Sequence, residues 1–151
     1  MTSPKKILVP VDFTRGSHLT IDFARRLGAS FEASLVLLHV IDVPDSASAI
    51  VPGADVGTDI AYERDLSDQC LSDLRDALIR SGFPNVTIRT EAGDPVEAIL
   101  RLARESEYEL IVMGTHGRTG LSRLVNASVA ERVVRAAYCP VLTIHLPPED
   151  P

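Results

Sequence analysis

The sequence LIVMGTHGRTG, residues 110–120, decides the fold of this chain. Four apolar residues are followed by three glycines within seven positions, and the segment leads to a helical pattern near Ser128. Glycines let backbone N–H groups approach an anion closely, and a helix start offers unpaired donors at the positive end of its dipole. A strand, a glycine-rich loop and a helix start in this order therefore predict a phosphate-binding site.

Length and composition predict one intracellular domain. With 151 residues, of which 45% are hydrophobic, the chain can form a substantial core, so we expect a single domain over residues 1–151. A net charge of −6, from 15 basic and 21 acidic residues, argues against nucleic-acid or anionic-membrane binding. Because no apolar run is long enough for either, we expect neither a membrane-spanning helix nor a secretory signal. Because only Cys70 and Cys139 are present, we expect a reducing, cytoplasmic location.

Short apolar runs alternate with helical patterns along the whole chain. Unbroken runs at 7–11, 35–40 and 110–113 predict strands buried on both faces. The polar alternation of residues 86–90 predicts an edge strand, and residues 140–144 predict the last strand. Four helical patterns separate these five strands. We therefore expect an α/β fold, with an open five-stranded parallel sheet and helices on both faces.

Helical spacing predicts which side chains face the core. Leu19, Phe23 and Leu27 define the expected buried face of the first helix, and Gly28 is expected just past its end. The second helix is expected from about Tyr62. Its expected core stripe is Leu66, Cys70, Leu74 and Leu78, and that of the fourth helix is Ala130, Val133, Val134 and Ala137.

Boundaries are clearest where capping residues and loop-forming residues occur. Asp94 can cap the third helix, Pro95 suits its first position, and Glu97 completes a capping box. Ser128 and Glu131 predict a similar box at the start of the fourth helix. Residues 43–61, rich in Pro, Gly and Ser, predict a long loop or flexible insert, and residues 147–151 an acidic, proline-rich tail.

In open parallel sheets, ligands bind beyond the carboxyl ends of the strands, where the strand order reverses. The segments at these ends are residues 12–14, 39–41 and 114–117. If the first and fourth strands are neighbours, all three segments converge on one cleft.

Taken together, these motifs resemble the universal stress protein family. The likeness covers nearly the whole chain, through ILVPVD at 7–12, LIVMGTHGRTGL at 110–121, ASVAE at 127–131 and CPVL at 139–142. The family usually has an aspartate where Glu109 stands. The resemblance implies a Rossmann-like sheet of order 3-2-1-4-5, similar to adenine nucleotide alpha hydrolase-like folds, and a homodimer formed through strand five, Val141 to Ile144. Dimerisation would cover the exposed apolar edge of that strand.

The resemblance also implies ATP binding. Some members of the family bind ATP through Gly, two residues, Gly, nine residues, then Gly and Ser or Thr. Gly114, Gly117 and Ser128 match this pattern, whereas Ala127 stands where a third glycine is expected. If that position needs a positive φ, alanine costs on the order of 1 kcal/mol, or roughly tenfold or less in affinity. If its φ is ordinary, the methyl group matters only where it meets phosphate.

By the same resemblance, Asp12 contacts the sugar end of the nucleotide, Val40 lies beside the base, and the loop holds the phosphates. The complete expected site is Pro10, Val11, Asp12, Val40, Met113, Gly114, Gly117, Arg118, Ala127, Ser128 and Val129. Plainer interpretations remain open: a tight turn at the glycines, a helix cap at Ser128, and solvated charges at Asp12 and Arg118. His39 is expected in the core or at its rim.

The residues do not predict an enzyme or a metal site. The only lysines, Lys5 and Lys6, are far from the glycine loop in sequence, and the loop lacks a Gly-Lys-Ser/Thr ending. No loop carboxylate is evident for Mg²⁺, although ATP could bring the ion with it. We therefore expect an ATP-binding regulator or adaptor in the stress response. The alternatives are a relative that binds no nucleotide and acts as a protein-interaction module, and a small ATPase or phosphotransferase.

Overall fold

The computed structural model describes residues 2–43, 56–115 and 129–145. Five strands and four helices alternate within these ranges. The strands are β1 (Lys6–Pro10), β2 (Ser34–Asp42), β3 (Val86–Gly93), β4 (Leu110–Gly114) and β5 (Val141–Ile144). The helices are α1 (Arg15–Phe31), α2 (Val56–Arg80), α3 (Pro95–Glu105) and α4 (Val129–Ala136). Within the same ranges, no helix combines the length and apolar character needed to cross a membrane.

All five strands are parallel and lie in the order β3-β2-β1-β4-β5, which confirms the expected sheet. β1 and β4 are neighbours, with Ile7 opposite Leu110 and Leu8 opposite Ile111. The chain leads from β1 to β2 and β3 on one side, and from β4 to β5 on the other. The strand order therefore reverses between β1 and β4, which is where ligands bind in such sheets.

Hydrophobic clusters fill both faces of the sheet. Ile7 and Val9 of β1 belong to the cluster covered by α1 and α2, whereas Leu8 belongs to the cluster covered by α3 and α4. This division follows from the alternation of side chains along a strand. All three side chains are fully buried, as an unbroken apolar run predicts for a strand covered on both faces.

The buried face of α1 differs from the prediction. Leu19 and Phe23 are 54% and 40% exposed. Leu27 packs against the core as predicted. The buried residues of α1 are Ser17, Thr20, Ile21, Ala24 and Gly28. Gly28 lies inside the helix, which ends at Phe31 and is followed by Glu32 in the left-handed region, with a φ of 53°. A Cβ on Gly28 would lie 2.9 Å from Cζ of Phe83, so the absence of a side chain allows this close packing.

α2 begins at Val56, earlier than the predicted start near Tyr62, so residues 56–61 of the expected insert are helical. Its buried face includes Ser67 and Leu71. The predicted stripe is confirmed for Leu74 and Leu78, which pack against the core, and wrong for Leu66 and Cys70, which are exposed. Residues 44–55 of the expected insert lie outside the described residues, as does the tail from residue 147.

Several predicted boundaries agree with the structure. The Asp94 carboxylate accepts a hydrogen bond from the Glu97 N–H at 2.9 Å, and Pro95 opens α3. β3 is an edge strand as expected, and it extends to Gly93. α4 is described from Val129. In α4, Ala130 and Val133 are buried as predicted, Ala137 is partly buried just after the helix, and Val134 is 50% exposed, contrary to prediction.

Glu109 has a structural role at the start of the sheet. Its carboxylate accepts hydrogen bonds from the backbone N–H groups of Lys5 and Lys6. The lysine ammonium groups donate to the carbonyls of Phe31 at 2.8 Å and Ser106 at 3.1 Å, at the ends of α1 and α3. Both lysines therefore stabilise the amino edge of the sheet, opposite the reversal point.

Candidate functional site

The candidate site lies at the carboxyl ends of β1 and β4. The predicted site residues that the structure describes are Pro10, Val11, Asp12, Val40, Met113, Gly114 and Val129. The predicted contacts Gly117, Arg118, Ala127 and Ser128 lie outside the described residues. β1 lies between β2 and β4; Asp12 follows β1, Gly114 ends β4, and Val40 lies two residues before the end of β2. The structure therefore brings the described parts of the three predicted segments, residues 12–14, 39–41 and 114–115, to one edge of the sheet.

Val11 joins the end of β1 to β2. Its N–H donates to the carbonyl of Leu38 at 2.8 Å, and its own carbonyl lies 2.9 Å from Nδ1 of His39. Because a carbonyl can only accept, Nδ1 of His39 carries the proton in this bond. His39 is only 7% exposed, which confirms its expected place in the core. The bond fixes the end of β2, including Val40, beside the end of β1.

The carboxylate of Asp12 organises the turn between β1 and α1. Its Oδ1 accepts from the N–H of Thr14 at 3.1 Å, from the hydroxyl of Thr14 at 2.6 Å and from the hydroxyl of Ser17 at 2.7 Å. The N–H of Asp12 donates to Oγ of Ser17 at 3.1 Å. Among the described residues, no hydrogen bond involves Oδ2 of Asp12. The turn therefore leaves one carboxylate oxygen available to a ligand.

Asp12 is negatively charged at neutral pH. Burial by itself raises the pKa of this carboxyl, but the hydrogen bonds from Thr14 and Ser17 outweigh burial and hold the pKa below its ordinary value. The start of α1 adds a favourable dipole for the negative charge. A half-buried carboxylate oxygen is a strong acceptor for a hydroxyl group and repels phosphate. The chemistry of Asp12 thus suits a sugar, and a bound phosphate would have to lie elsewhere.

Phe13 has a backbone conformation that bulky residues rarely adopt. Its φ is 61°, in the left-handed region. Its ring packs on the ring of His39, with centroids 4.4 Å apart and an interplanar angle of 35°. The sequence placed Phe13 in the cleft segment without giving it a role, and no pattern in the sequence indicates its positive φ or its contact with His39.

The end of β4 forms the opposite side of the site. Met113 is 4% exposed, and Gly114 is half-buried at the end of the strand. The N–H of Thr115 donates to the carbonyl of Ile144 at 3.0 Å, so β5 holds this end of β4 in place. In a parallel β4-α4-β5 unit the helix N-terminus lies at the carboxyl edge of the sheet. Val129, the first described residue of α4, is 37% exposed there.

Two surface hollows lie at the amino edge of the sheet, away from all these residues. One, of about 700 Å³, includes Lys6 and Tyr138 among its lining residues, and the other, of about 400 Å³, includes Phe31. Two polar groups beside the larger hollow are already partnered: Lys6 Nζ donates to the carbonyl of Ser106, and the Tyr138 hydroxyl donates to that of Tyr108 at 3.2 Å. The carboxyl edge, with its available carboxylate oxygen, is therefore the better candidate site.

The alternating parallel sheet, with its strand reversal between β1 and β4, defines a doubly wound α/β protein whose candidate ligand site is at the carboxyl edge. Comparison with known proteins identifies the family. The model of the Universal stress protein family matches residues 4–145, and the chain belongs to this family.

Individual relatives are similar along nearly the whole chain. Universal stress protein MJ0531 from Methanocaldococcus jannaschii is 32% identical, covering 97% of this chain and 85% of the relative. The structure of UspA from Lactobacillus plantarum has a TM-score of 0.82 at 24% identity, covering 95% of this chain and 99% of that one, and shows the same fold. A universal stress protein crystallised in complex with cAMP is 26% identical, with a TM-score of 0.64 and coverage of 95% and 99%.

Proposed function

We propose that this universal stress protein is an adenine-nucleotide-binding regulator or adaptor of the stress response, without a catalytic function of its own. The observation that carries the proposal is the carboxylate of Asp12, which Thr14 and Ser17 hold through Oδ1 at the strand reversal. A ribose hydroxyl is a suitable donor for its other oxygen. The relative crystallised with cAMP supports an adenine nucleotide as the ligand class.

The proposed nucleotide spans the carboxyl edge from β2 to α4. Val40 lies beside the base, and Asp12 binds the sugar, with Pro10 and Val11 behind it. Because Asp12 repels phosphate, the phosphate groups lie on the side of β4 and α4, where helix N–H groups favour anions. Met113 and Gly114 complete the nucleotide site at the end of β4. The proposed phosphate contacts, which come from the sequence pattern, are Gly117, Arg118, Ala127, Ser128 and Val129. ATP, with or without Mg²⁺, fits this arrangement.

We further propose a cytoplasmic homodimer that pairs through β5. The carbonyls of Pro140 and Ile144 accept from β4, at 3.0 Å in each case. The intervening backbone groups of Val141 and Thr143 therefore point to the open edge of the sheet. Pairing with β5 of a second copy would satisfy these groups.

Titration of the purified protein with ATP, AMP and cAMP, by calorimetry and thermal shift, tests the proposal. We expect saturable binding that Asp12→Asn weakens, because the neutral amide is a poorer acceptor for a sugar hydroxyl. Asp65→Asn is the matched control, since it removes the same charge from an exposed position on α2. No heat and no thermal shift at millimolar nucleotide would contradict nucleotide binding.

A second experiment tests the effect of Ala127, which stands where the family pattern has a glycine. If Ala127 weakens phosphate binding through its methyl group or a positive φ, Ala127→Gly should tighten ATP binding by up to about tenfold. Adenosine, which has no phosphate, should bind the two proteins equally. An unchanged affinity for ATP would show that Ala127 does not limit binding.

The alternative is a protein-interaction module that binds no nucleotide. The exposed apolar side chains of α1 and α2 favour this alternative, because they offer surface to a protein partner. They include Leu19, Phe23, Tyr62 and Leu66, each at least 40% exposed. The nucleotide titration separates the two proposals.

A further inference from the structure

We propose that Phe13 and His39 form a positioning pair that holds the Asp12 turn in its ligand-binding conformation. The proposal deepens the proposed nucleotide site and rests on it for its functional meaning. Its structural basis is that one histidine contacts both neighbours of Asp12. Nδ1 of His39 bonds to the carbonyl of Val11 at 2.9 Å, and its ring packs on that of Phe13 at 4.4 Å.

The backbone conformation of Phe13 indicates that its contact with His39 stabilises the turn. A φ of 61° is unfavourable for a residue with a large side chain, and glycine would adopt it without steric conflict. Such conformations persist where the surroundings fix them, and they are concentrated at functional sites. Here Phe13 contacts the buried ring of His39 and also packs against the hydrophobic cluster beneath α1 and α2. The aromatic side chain thus supplies a restraint that glycine could not.

The restraint acts on the direction of the Asp12 carboxylate. On one side of the turn, His39 holds the residues before and after Asp12. On the other side, Thr14 and the first turn of α1 hold Oδ1 through the three hydrogen bonds described above. With both sides fixed, Oδ2 is presented in one direction before a ligand arrives. Such preorganisation increases affinity because less ordering is needed on binding.

Replacing Phe13 tests the pair by two measurements. In Phe13→Ala the turn is free to leave the left-handed conformation, and the bonds from Thr14 and Ser17 should weaken. We expect the pKa of Asp12, followed by NMR of its side-chain carboxyl carbon, to rise towards its ordinary value. We expect binding of cAMP, measured by calorimetry, to weaken by about tenfold. Phe13→Tyr keeps the ring and should preserve the pKa and change affinity by less than about twofold.

Two further variants separate the positioning role from general effects. Phe23→Ala removes a phenylalanine that is 40% exposed on α1 and should change neither the Asp12 titration nor cAMP binding. Phe13→Leu keeps apolar bulk without a flat ring, and replaces Phe13→Ala if that variant does not fold. We expect it to raise the Asp12 pKa as well, because a branched aliphatic side chain cannot stack on His39.

The outcomes distinguish this proposal from the proposed function. An Asp12 pKa that is the same in Phe13→Ala, Phe13→Leu and the parent protein overturns the positioning pair, whether or not cAMP binds. A Phe13-dependent Asp12 pKa in a protein that binds neither cAMP nor ATP supports the pair and contradicts the nucleotide site. Loss of cAMP binding with an unchanged Asp12 pKa would show that Phe13 contacts the ligand directly, which also overturns a positioning role.

Discussion

Replacing Ser17 with alanine should destabilise the fold by about 2 kcal/mol at pH 7. The side chain is 7% exposed, and its hydroxyl both donates to Asp12 Oδ1 at 2.7 Å and accepts from the Asp12 N–H at 3.1 Å. A hydrogen bond to a charged group contributes about 1.5–3 kcal/mol, and an N–H left without a partner adds about 1 kcal/mol. Partial exposure of Asp12 reduces the first figure. Alanine has a better helix propensity than serine, which offsets about 0.5 kcal/mol of the destabilisation.

The loss should also depend on pH. Burial raises the pKa of Asp12, but the hydrogen bonds from Thr14 and Ser17 outweigh burial and hold this pKa below its ordinary value. A carboxyl whose folded pKa is depressed stabilises the protein above its unfolded pKa, and this contribution is lost as the pH falls through the folded value. Without Ser17 the folded pKa is higher. The difference in the free energy of unfolding between the parent protein and Ser17→Ala should therefore decrease to about 1 kcal/mol as the pH falls from about 5 to 3.

Urea denaturation followed by circular dichroism at a series of pH values measures this difference. Ser30→Ala is the matched control, because Ser30 is exposed on the same helix. It should change the free energy of unfolding by less than about 0.5 kcal/mol at every pH. A loss in Ser17→Ala that stays constant between pH 7 and pH 3 would refute the argument, since the charge of Asp12 would then play no part. Ser17→Ala should also weaken nucleotide binding, whereas Ser30→Ala should not.

Three further changes test the packing, the capping and the assembly of the protein. Gly28→Ala should lower the free energy of unfolding, measured in urea, by about 1–2 kcal/mol. The new Cβ would lie 2.9 Å from Cζ of Phe83, and this steric conflict should outweigh the gain in helix propensity. In a Phe83→Leu background, Gly28→Ala should instead raise the free energy of unfolding. Asp94→Ala should cost about 1 kcal/mol, since it removes the 2.9 Å cap on the Glu97 N–H, and an unchanged urea midpoint would contradict the cap. Thr143→Pro removes an outward N–H from β5 and should convert a dimer to a monomer by light scattering at micromolar concentration. Thr143→Ala should stay dimeric, and a monomeric parent protein would count against pairing through β5.

The strands could be predicted from the sequence because burial on both faces leaves a simple pattern. Ile7, Leu8 and Val9 are fully buried in β1, and they stand in the sequence as an uninterrupted apolar run. The strand order could not be derived from such runs. It came from the likeness to a known family, since the sequence alone only required β1 and β4 to be neighbours if the three loop segments were to meet.

The helix faces were harder to predict because either large apolar residues or small residues can form the buried face of a helix. Leu19 and Phe23 have helical spacing, but they are exposed, whereas Ser17 and Gly28 lie against the sheet. Helical periodicity finds an apolar stripe, but it does not reveal how close the helix axis comes to its neighbours. Where the approach is close, as between Gly28 and Phe83, small side chains occupy the contact and larger apolar ones are displaced to the flanks.

The position of the candidate site was predictable, and the way in which its carboxylate is held was not. Asp12 and Gly114 could be placed at the site because each lies at the end of a strand. Thr14, Ser17 and His39 carry no pattern of their own, because serines, threonines and histidines also occur at caps and in cores. Their roles depend on distances between segments that only the folded chain defines, such as the 2.9 Å between His39 and Val11.

The two sides of the proposed site should therefore respond differently to substitution. On the sugar side, the bonds that direct Asp12 also join β1 to β2 and to the start of α1. A change at Ser17 should consequently alter stability and affinity together. On the phosphate side, the proposed contact at Ala127 lies in the connection between β4 and α4. Its role is inferred from a binding pattern in the sequence alone. Ala127→Gly should alter affinity for ATP more than it alters the urea midpoint. If instead both substitutions changed stability and affinity in the same proportion, the phosphate loop would belong to the same cooperative unit as the Asp12 turn.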